Sequence, residues 1–117
     1  MGQLTTHVLD TSEGSPARGV RIELRDLQFD VPQLINTFFT GEDGRCRNAL
    51  LAGADLRKGR YSITFYIAEY YRSRGVVLPV PAFIEDATIH IGIANPDEHY
   101  HVPLLVAPWS YSLYRGG

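Results

Sequence analysis

Hydrophobic and polar residues alternate with a period of two over most of this chain, the period of strands with one buried face. Residues 3–10 put Leu4, Thr6 and Val8 on one side and Thr5, His7 and Leu9 on the other. The cleanest alternation is at residues 20–25: Val20, Ile22 and Leu24 inward, three charges outward, as on a half-wet antiparallel sheet. Residues 35–40 are β-rich and run into Gly41-Glu42-Asp43-Gly44. Asp-Gly between two strand-like runs predicts a hairpin with positive φ at both central residues, and residues 45–50 as the returning strand. Residues 60–67 alternate again, with Tyr61, Ile63, Phe65 and Ile67 together. The period breaks at 68–74, which reads as one or two helical turns ended by Gly75, with Arg72 and Arg74 at the negative end of the dipole. Residues 76–81 are extended, and Pro79 and Pro81 keep them out of a central strand. Strands follow at 87–93, 100–106 and 110–115, the last two joined by a turn at Pro108.

About eight short strands with one brief helix predict an all-β fold, a two-sheet antiparallel β-sandwich. A length of 117 residues suits one domain, 1–117, with a single core. A hydrophobic fraction of 44% argues against disorder, and a net charge of −2 gives no electrostatic case for nucleic acid or an anionic membrane as partner. No run reaches the roughly 18–20 apolar residues of a membrane span, and no apolar run follows a basic start as in a secretory signal. Cys46 is the lone cysteine, so no internal disulfide is possible and a reducing compartment is expected. The expected location is the cytoplasm, with the peroxisome as the alternative. Met1 to Thr6 fits the short N-myristoylation pattern, but Thr6 belongs to a strand that must pack, and lipidation is not expected.

Candidate chemistry lies on the faces that the core leaves over. At residues 100–106, Tyr100, Val102, Leu104 and Val106 form a core face, while the opposite face carries His99, His101, Pro103 and Leu105. A merely solvated face would carry Lys, Glu and Thr. His7 also falls on the non-core side of its strand. If the two strands are neighbours, both imidazoles converge between Leu9, Pro103 and Leu105, whose low polarity strengthens charge interactions. Each candidate has a plain reading too: a surface histidine, Arg45 as a solvated hairpin residue, Tyr114 as packing. His90 reads as surface, and Cys46 as a small buried hydrophobe with no histidine implied nearby. His99 and His101 have an i, i+2 spacing used by metal ligands, but no carboxylate or thiolate motif joins them. Neither a metal nor a cofactor is expected.

Three separated motifs change those odds. Leu4-Thr5-Thr6-His7-Val8-Leu9-Asp10, Asp43-Gly44-Arg45, and His101-Val102-Pro103-Leu104-Leu105 followed by Tyr114-Arg115-Gly116 stand in the order found in one family. Over almost its whole length the chain resembles the transthyretin-related 5-hydroxyisourate hydrolases. The resemblance implies a transthyretin-like (prealbumin-like) sandwich and a homotetramer with a channel between dimers. It implies hydrolytic opening of 5-hydroxyisourate at its six-membered ring, giving 2-oxo-4-hydroxy-4-carboxy-5-ureidoimidazoline in urate breakdown. It also implies His7, Arg45 and His101 as catalytic residues, and Tyr114, Arg115 and Gly116 as the substrate-binding tail. The family usually closes with a serine after Tyr-Arg-Gly, where this chain has Gly117.

The residue types suit the reaction. Imidazole can deprotonate water near neutral pH, and a guanidinium can bind both an oxyanion and a planar urea-like edge. His101 is expected as base, His7 as its partner in positioning water and protonating the leaving nitrogen, and Arg45 as clamp. The two histidine roles are interchangeable at this point. The competing expectations are a carrier holding an apolar aromatic ligand in the inter-subunit channel, and a plain sandwich mediating association.

Overall fold

In a computed structural model, which describes residues 1–116, the predicted period is realised as two sheets packed face to face. In chain order the strands are β1 (Gln3–Asp10), β2 (Ser15–Pro16), β3 (Arg21–Asp26), β4 (Gln33–Phe39), β5 (Leu51–Ala52), β6 (Gly59–Phe65), β7 (Ala87–Ile93), β8 (His99–Ala107) and β9 (Ser110–Leu113). Helix α1 (Ile67–Ser73) lies between β6 and β7, and a 3₁₀ turn occupies Gly53–Asp55. One sheet has the order β2-β1-β8-β9, with β5 also against β1; the other runs β4-β3-β6-β7. Every pairing is antiparallel except β1 with β8, which is parallel. Leu4 and Val8 of β1, Ile22 and Leu24 of β3, Ile63 and Phe65 of β6 and Leu104 of β8 are fully buried in the core between the sheets. The predicted two-sheet β-sandwich is thus the fold.

Three local expectations are corrected. Residues 45–50 form no strand; only the bridges Thr40↔Cys46 and His7↔Arg45 remain. The chain here leaves β4 for the other sheet, where Leu50 N–H reaches the Leu4 carbonyl at 2.8 Å, so it cannot stay paired with β4. In the turn before it, Gly44 N–H bonds the Gly41 carbonyl at 2.9 Å, and Gly44 alone has positive φ, at 77°. Ile67, expected at the end of a strand, is the first residue of α1.

Gly2 is buried and its N–H donates to the Pro96 carbonyl at 3.1 Å, so the myristoylation pattern sits on packed backbone. No helix among the described residues is long and apolar enough to cross a membrane.

At the far end of β1, Asp10 is 1% exposed. Its carboxylate accepts from Tyr70 Oη and Tyr71 Oη of α1 at 2.9 Å each, and from the N–H and hydroxyl of Ser12. Tyr71 Oη also reaches the Val106 carbonyl at 3.2 Å, so one cluster joins α1, β1 and β8. Burial acts most strongly and would raise the Asp10 pKa, but the bonds from Ser12, Tyr71 and Tyr70 together outweigh it and hold it below 3.8. A depressed carboxyl contributes stability that is complete above its unfolded value and lost as pH falls through the folded one. Removing one donor with Tyr71→Phe should cost about 1.5–3 kcal/mol, the worth of a hydrogen bond to a charged group. Urea unfolding at pH 7 measures this, and the deficit should shrink as pH falls below the ordinary carboxylate range and Asp10 protonates in both proteins.

Candidate active site

His7 and His101 become neighbours because β1 and β8 lie side by side, with Thr5 opposite His101 and His7 opposite Pro103. Odd-numbered residues of both strands face away from the core, so Thr5, His7 and Leu9 share one surface with His101, Pro103 and Leu105. His7 stands one step further along than His101, and strand geometry separates their Cα atoms by about 8 Å. Both rings are half-buried.

Arg45 arrives from the other side of β1. It pairs with His7 in an antiparallel bridge, and residues paired in this way present their side chains to one face. Val8 N–H donates to the Gly44 carbonyl at 2.8 Å, fastening the turn to the strand. His7 Nε2 donates to the Asp43 carbonyl oxygen at 2.7 Å. A carbonyl only accepts, so Nε2 carries the hydrogen and Nδ1 of neutral His7 is left as acceptor. A Cβ at Gly44 would collide with the Val8 carbonyl and come within 3.2 Å of the His7 ring, on a backbone already left-handed. Arg45 is exposed, and among the described residues its guanidinium has no ion-pair partner.

The tail closes the site from the β9 side. Gly116 N–H donates to the His101 carbonyl at 2.6 Å, and a Cβ there would stand 3.3 Å from both Cβ and Cδ2 of His101. The glycines of Asp-Gly-Arg and Tyr-Arg-Gly therefore do similar work: each lets backbone close on one imidazole. Continuing the register from Leu104↔Leu113 to His101↔Gly116 would set the exposed Tyr114 opposite Pro103, on the histidine face, while it also borders a hollow of about 370 Å³ with Tyr100, Val102 and Arg115. The same register sets Arg115 on the opposite face. There it donates to Glu98 Oε1 at 2.9 Å and the His99 carbonyl at 3.2 Å, with its guanidinium carbon 4.1 Å from the centroid of the Tyr100 ring. His7, Arg45, His101, Tyr114 and the Gly116 backbone are thus brought to one surface. Arg115 is not; it ties the tail to β8. The expected effect of Gly117 in place of a serine lies outside the described residues.

The electrostatics differ from residue to residue. Burial first, then the nearby Arg45 guanidinium and His7 ring, hold the His101 pKa below 6.5, so this imidazole is mostly neutral at pH 7. Thr5 Oγ1 lies 2.8 Å from His101 Nδ1, a contact missed in the sequence. The available signal was that Thr5 precedes His7 by two residues and so shares its face. The half-buried Cys46 thiol is pushed up to about 11 by burial and then by Asp43, which leaves it protonated and a poor nucleophile. His90 and His99 are exposed, and among the described residues no group of three or more His, Cys, Asp or Glu could hold a metal.

A polar hollow of about 300 Å³ is lined by Gln3, Thr5, Arg45 and Asn48 among others, though by neither histidine. A larger one of about 560 Å³, near Ile35, Asn36 and Arg57 at the end of the sandwich, holds none of the site residues. Volume does not mark the chemistry here, because in one chain the site is an open sheet face. A neutral imidazole beside a second imidazole and an exposed guanidinium can add water to a carbonyl and hold the oxyanion that forms.

A family model described as HIUase/Transthyretin family matches residues 4–116. A 5-hydroxyisourate hydrolase of Pseudomonas aeruginosa is 51% identical over 116 residues, covering 99% of this chain and 92% of the relative. Among solved structures, the 5-hydroxyisourate hydrolase of Klebsiella pneumoniae aligns with a TM-score of 0.82 and 32% identity over 100% of both chains. An (S)-allantoin synthase aligns with a TM-score of 0.93 and 44% identity, over 99% of this chain and 44% of its own.

Proposed function

The chain belongs to the HIUase/Transthyretin family and hydrolyses 5-hydroxyisourate; from that premise we propose how His7, Arg45 and His101 divide the reaction. His101 is the base. Its imidazole is neutral at pH 7 and half-buried, so its basic nitrogen is available and little hydrated. It takes a proton as the water oxygen bonds to a ring carbonyl carbon. Negative charge then builds on the carbonyl oxygen, where the Arg45 fork stabilises it with paired N–H donors. Collapse of that intermediate breaks the ring C–N bond, and the nitrogen takes a proton from the imidazole pair. His7, fixed through Nε2 to the Asp43 carbonyl, orients the water and passes that proton. Tyr114 borders the substrate on the tail side, and Gly116 serves through its backbone. Arg115 acts at a distance, by holding the tail.

The observation that carries this reading is the parallel register of β1 and β8, which sets two distant imidazoles on one face with Arg45 bridged to His7. A carrier of an apolar aromatic ligand would line the same face with apolar side chains throughout; here Thr5, His7, Arg45 and His101 stand on it among Leu9, Pro103 and Leu105. The test generates 5-hydroxyisourate in situ from urate and urate oxidase and follows its absorbance. Decay well above the spontaneous rate is expected on adding the protein, and decay at the spontaneous rate would end the proposal.

A homotetramer of this single domain, working in the cytosol, completes the proposal. Trp109, Tyr111 and Tyr114 stand exposed on and around the edge strand β9, and exposed edges need cover. A solution mass near four times 13.1 kDa by light scattering is expected. The free, half-buried Cys46 fits a reducing compartment.

A further inference from the structure

We propose that Thr5 is a positioning residue for His101: its hydroxyl accepts a hydrogen bond from Nδ1–H and so keeps the Nε2 lone pair directed at the reacting water. The inference deepens the reading of His101 as base and rests on it.

Geometry comes first. Thr5 and His101 are directly opposed across the parallel pair, and Oγ1 lies 2.8 Å from Nδ1. A hydroxyl can donate or accept, so the distance alone allows either tautomer. Only one suits a base. If Thr5 donated to Nδ1, the hydrogen would sit on Nε2 and the nitrogen free for water would have no lone pair to offer. If Thr5 accepts, Nε2 is the basic atom, and the same bond persists when Nε2 gains its proton. One partner then serves His101 before and after proton transfer.

The neighbouring Thr6 separates this duty from a structural one. Thr6 Oγ1 points to the core side and donates to the Val102 carbonyl at 2.6 Å, joining the same two strands. Strand cohesion therefore has its own threonine, and the Thr5 hydroxyl is spare for the imidazole.

A threonine also differs from a carboxylate in this position. A carboxylate beside Nδ1 would stabilise the imidazolium and raise the His101 pKa, leaving less free base at pH 7. A neutral hydroxyl orients the ring without that effect. Among the described residues, the charged groups acting on His101 are Arg45 on the turn and His7 on β1, and neither is a carboxylate. Orientation and basicity are thus set by different partners, Thr5 for the first, Arg45 and His7 with burial for the second.

Three variants test this in the full-length protein: Thr5→Val, Thr5→Ser and Thr5→Asp. Valine has the shape of threonine and equal liking for strands, so the fold is expected to persist, checked by the urea midpoint. Thr5→Val should lower kcat about tenfold, less than the loss of the base itself because Thr5 acts only through His101, with KM changed less than about twofold. Thr5→Ser should restore most of kcat. Thr5→Asp should move the acid limb of the pH–rate profile to higher pH. Nitrogen NMR of the His101 ring reads the tautomer without activity: Nδ1–H in the unaltered protein, lost or mixed in Thr5→Val. An Nε2–H tautomer in the unaltered protein, or wild-type kcat and pH profile in Thr5→Val, would overturn the proposal. If His101→Ala is inactive while Thr5→Val is normal, only the role of Thr5 fails; if His101→Ala retains full activity, the base assignment fails with it.

Discussion

His101→Ala is expected to lower kcat/KM for 5-hydroxyisourate by about 10²- to 10⁴-fold, the range for a positioned acid–base group. The loss should fall on kcat, because the imidazole acts on water in the transition state and contributes little to holding the ground-state ring. Stability should barely change. The side chain is half-buried on the outer face of β8, and its backbone bonds to the Gly116 backbone survive truncation. In the unaltered protein, kcat/KM should fall on the acid side as His101 protonates, and that limb should lie below pH 6.5 because burial, Arg45 and His7 all disfavour the charged ring. Initial rates across pH 5–9 on freshly generated substrate measure both effects. A variant keeping more than about a tenth of the activity would remove His101 from the role of base.

Arg45→Ala should cost about 10²- to 10³-fold in kcat, as removal of an oxyanion donor does elsewhere, and should also raise KM if the fork holds the substrate edge. A second consequence has a definite sign. Removing a positive charge that depresses His101 raises its pKa, so the acid limb of the profile moves to higher pH. Arg45→Lys separates the two contributions: the ammonium keeps the charge and the position of the limb, but lacks the planar fork and should recover only part of the rate. Unchanged kcat in Arg45→Ala would reject the oxyanion assignment, and an unmoved limb would show that the two side chains are not electrostatically coupled.

Most strands were legible because burial of one face writes a period of two into the residues, as at Val20, Ile22 and Leu24, all buried in β3. The helix was legible from the break in that period and from Gly75. Legibility failed where contacts distant in sequence decide. Residues 45–50 look like a returning strand, yet the chain is drawn off to pair with β1. Asp10, Tyr70 and Tyr71 carry no local sign that two phenols will satisfy one buried carboxylate. At the site, His7 and His101 could be singled out as residues on the wrong face for a core. Arg115 could not be separated from Tyr114 and Gly116 until the register showed which of the three turn away.

The sequence by itself determined most of the longer strands, the inward face of those that alternate and the short list of side chains left over for chemistry, since alternation and turn residues are properties of neighbours along the chain. It also carried the motifs that place the chain in its family. Only the tertiary structure decided that β1 and β8 run parallel with Thr5 beside His101, that Gly44 and Gly116 press backbone against the two imidazoles, and that Arg115 faces away. Register between strands some 96 residues apart follows from how the whole core packs. A slip of one residue would turn every one of these side chains to the opposite face.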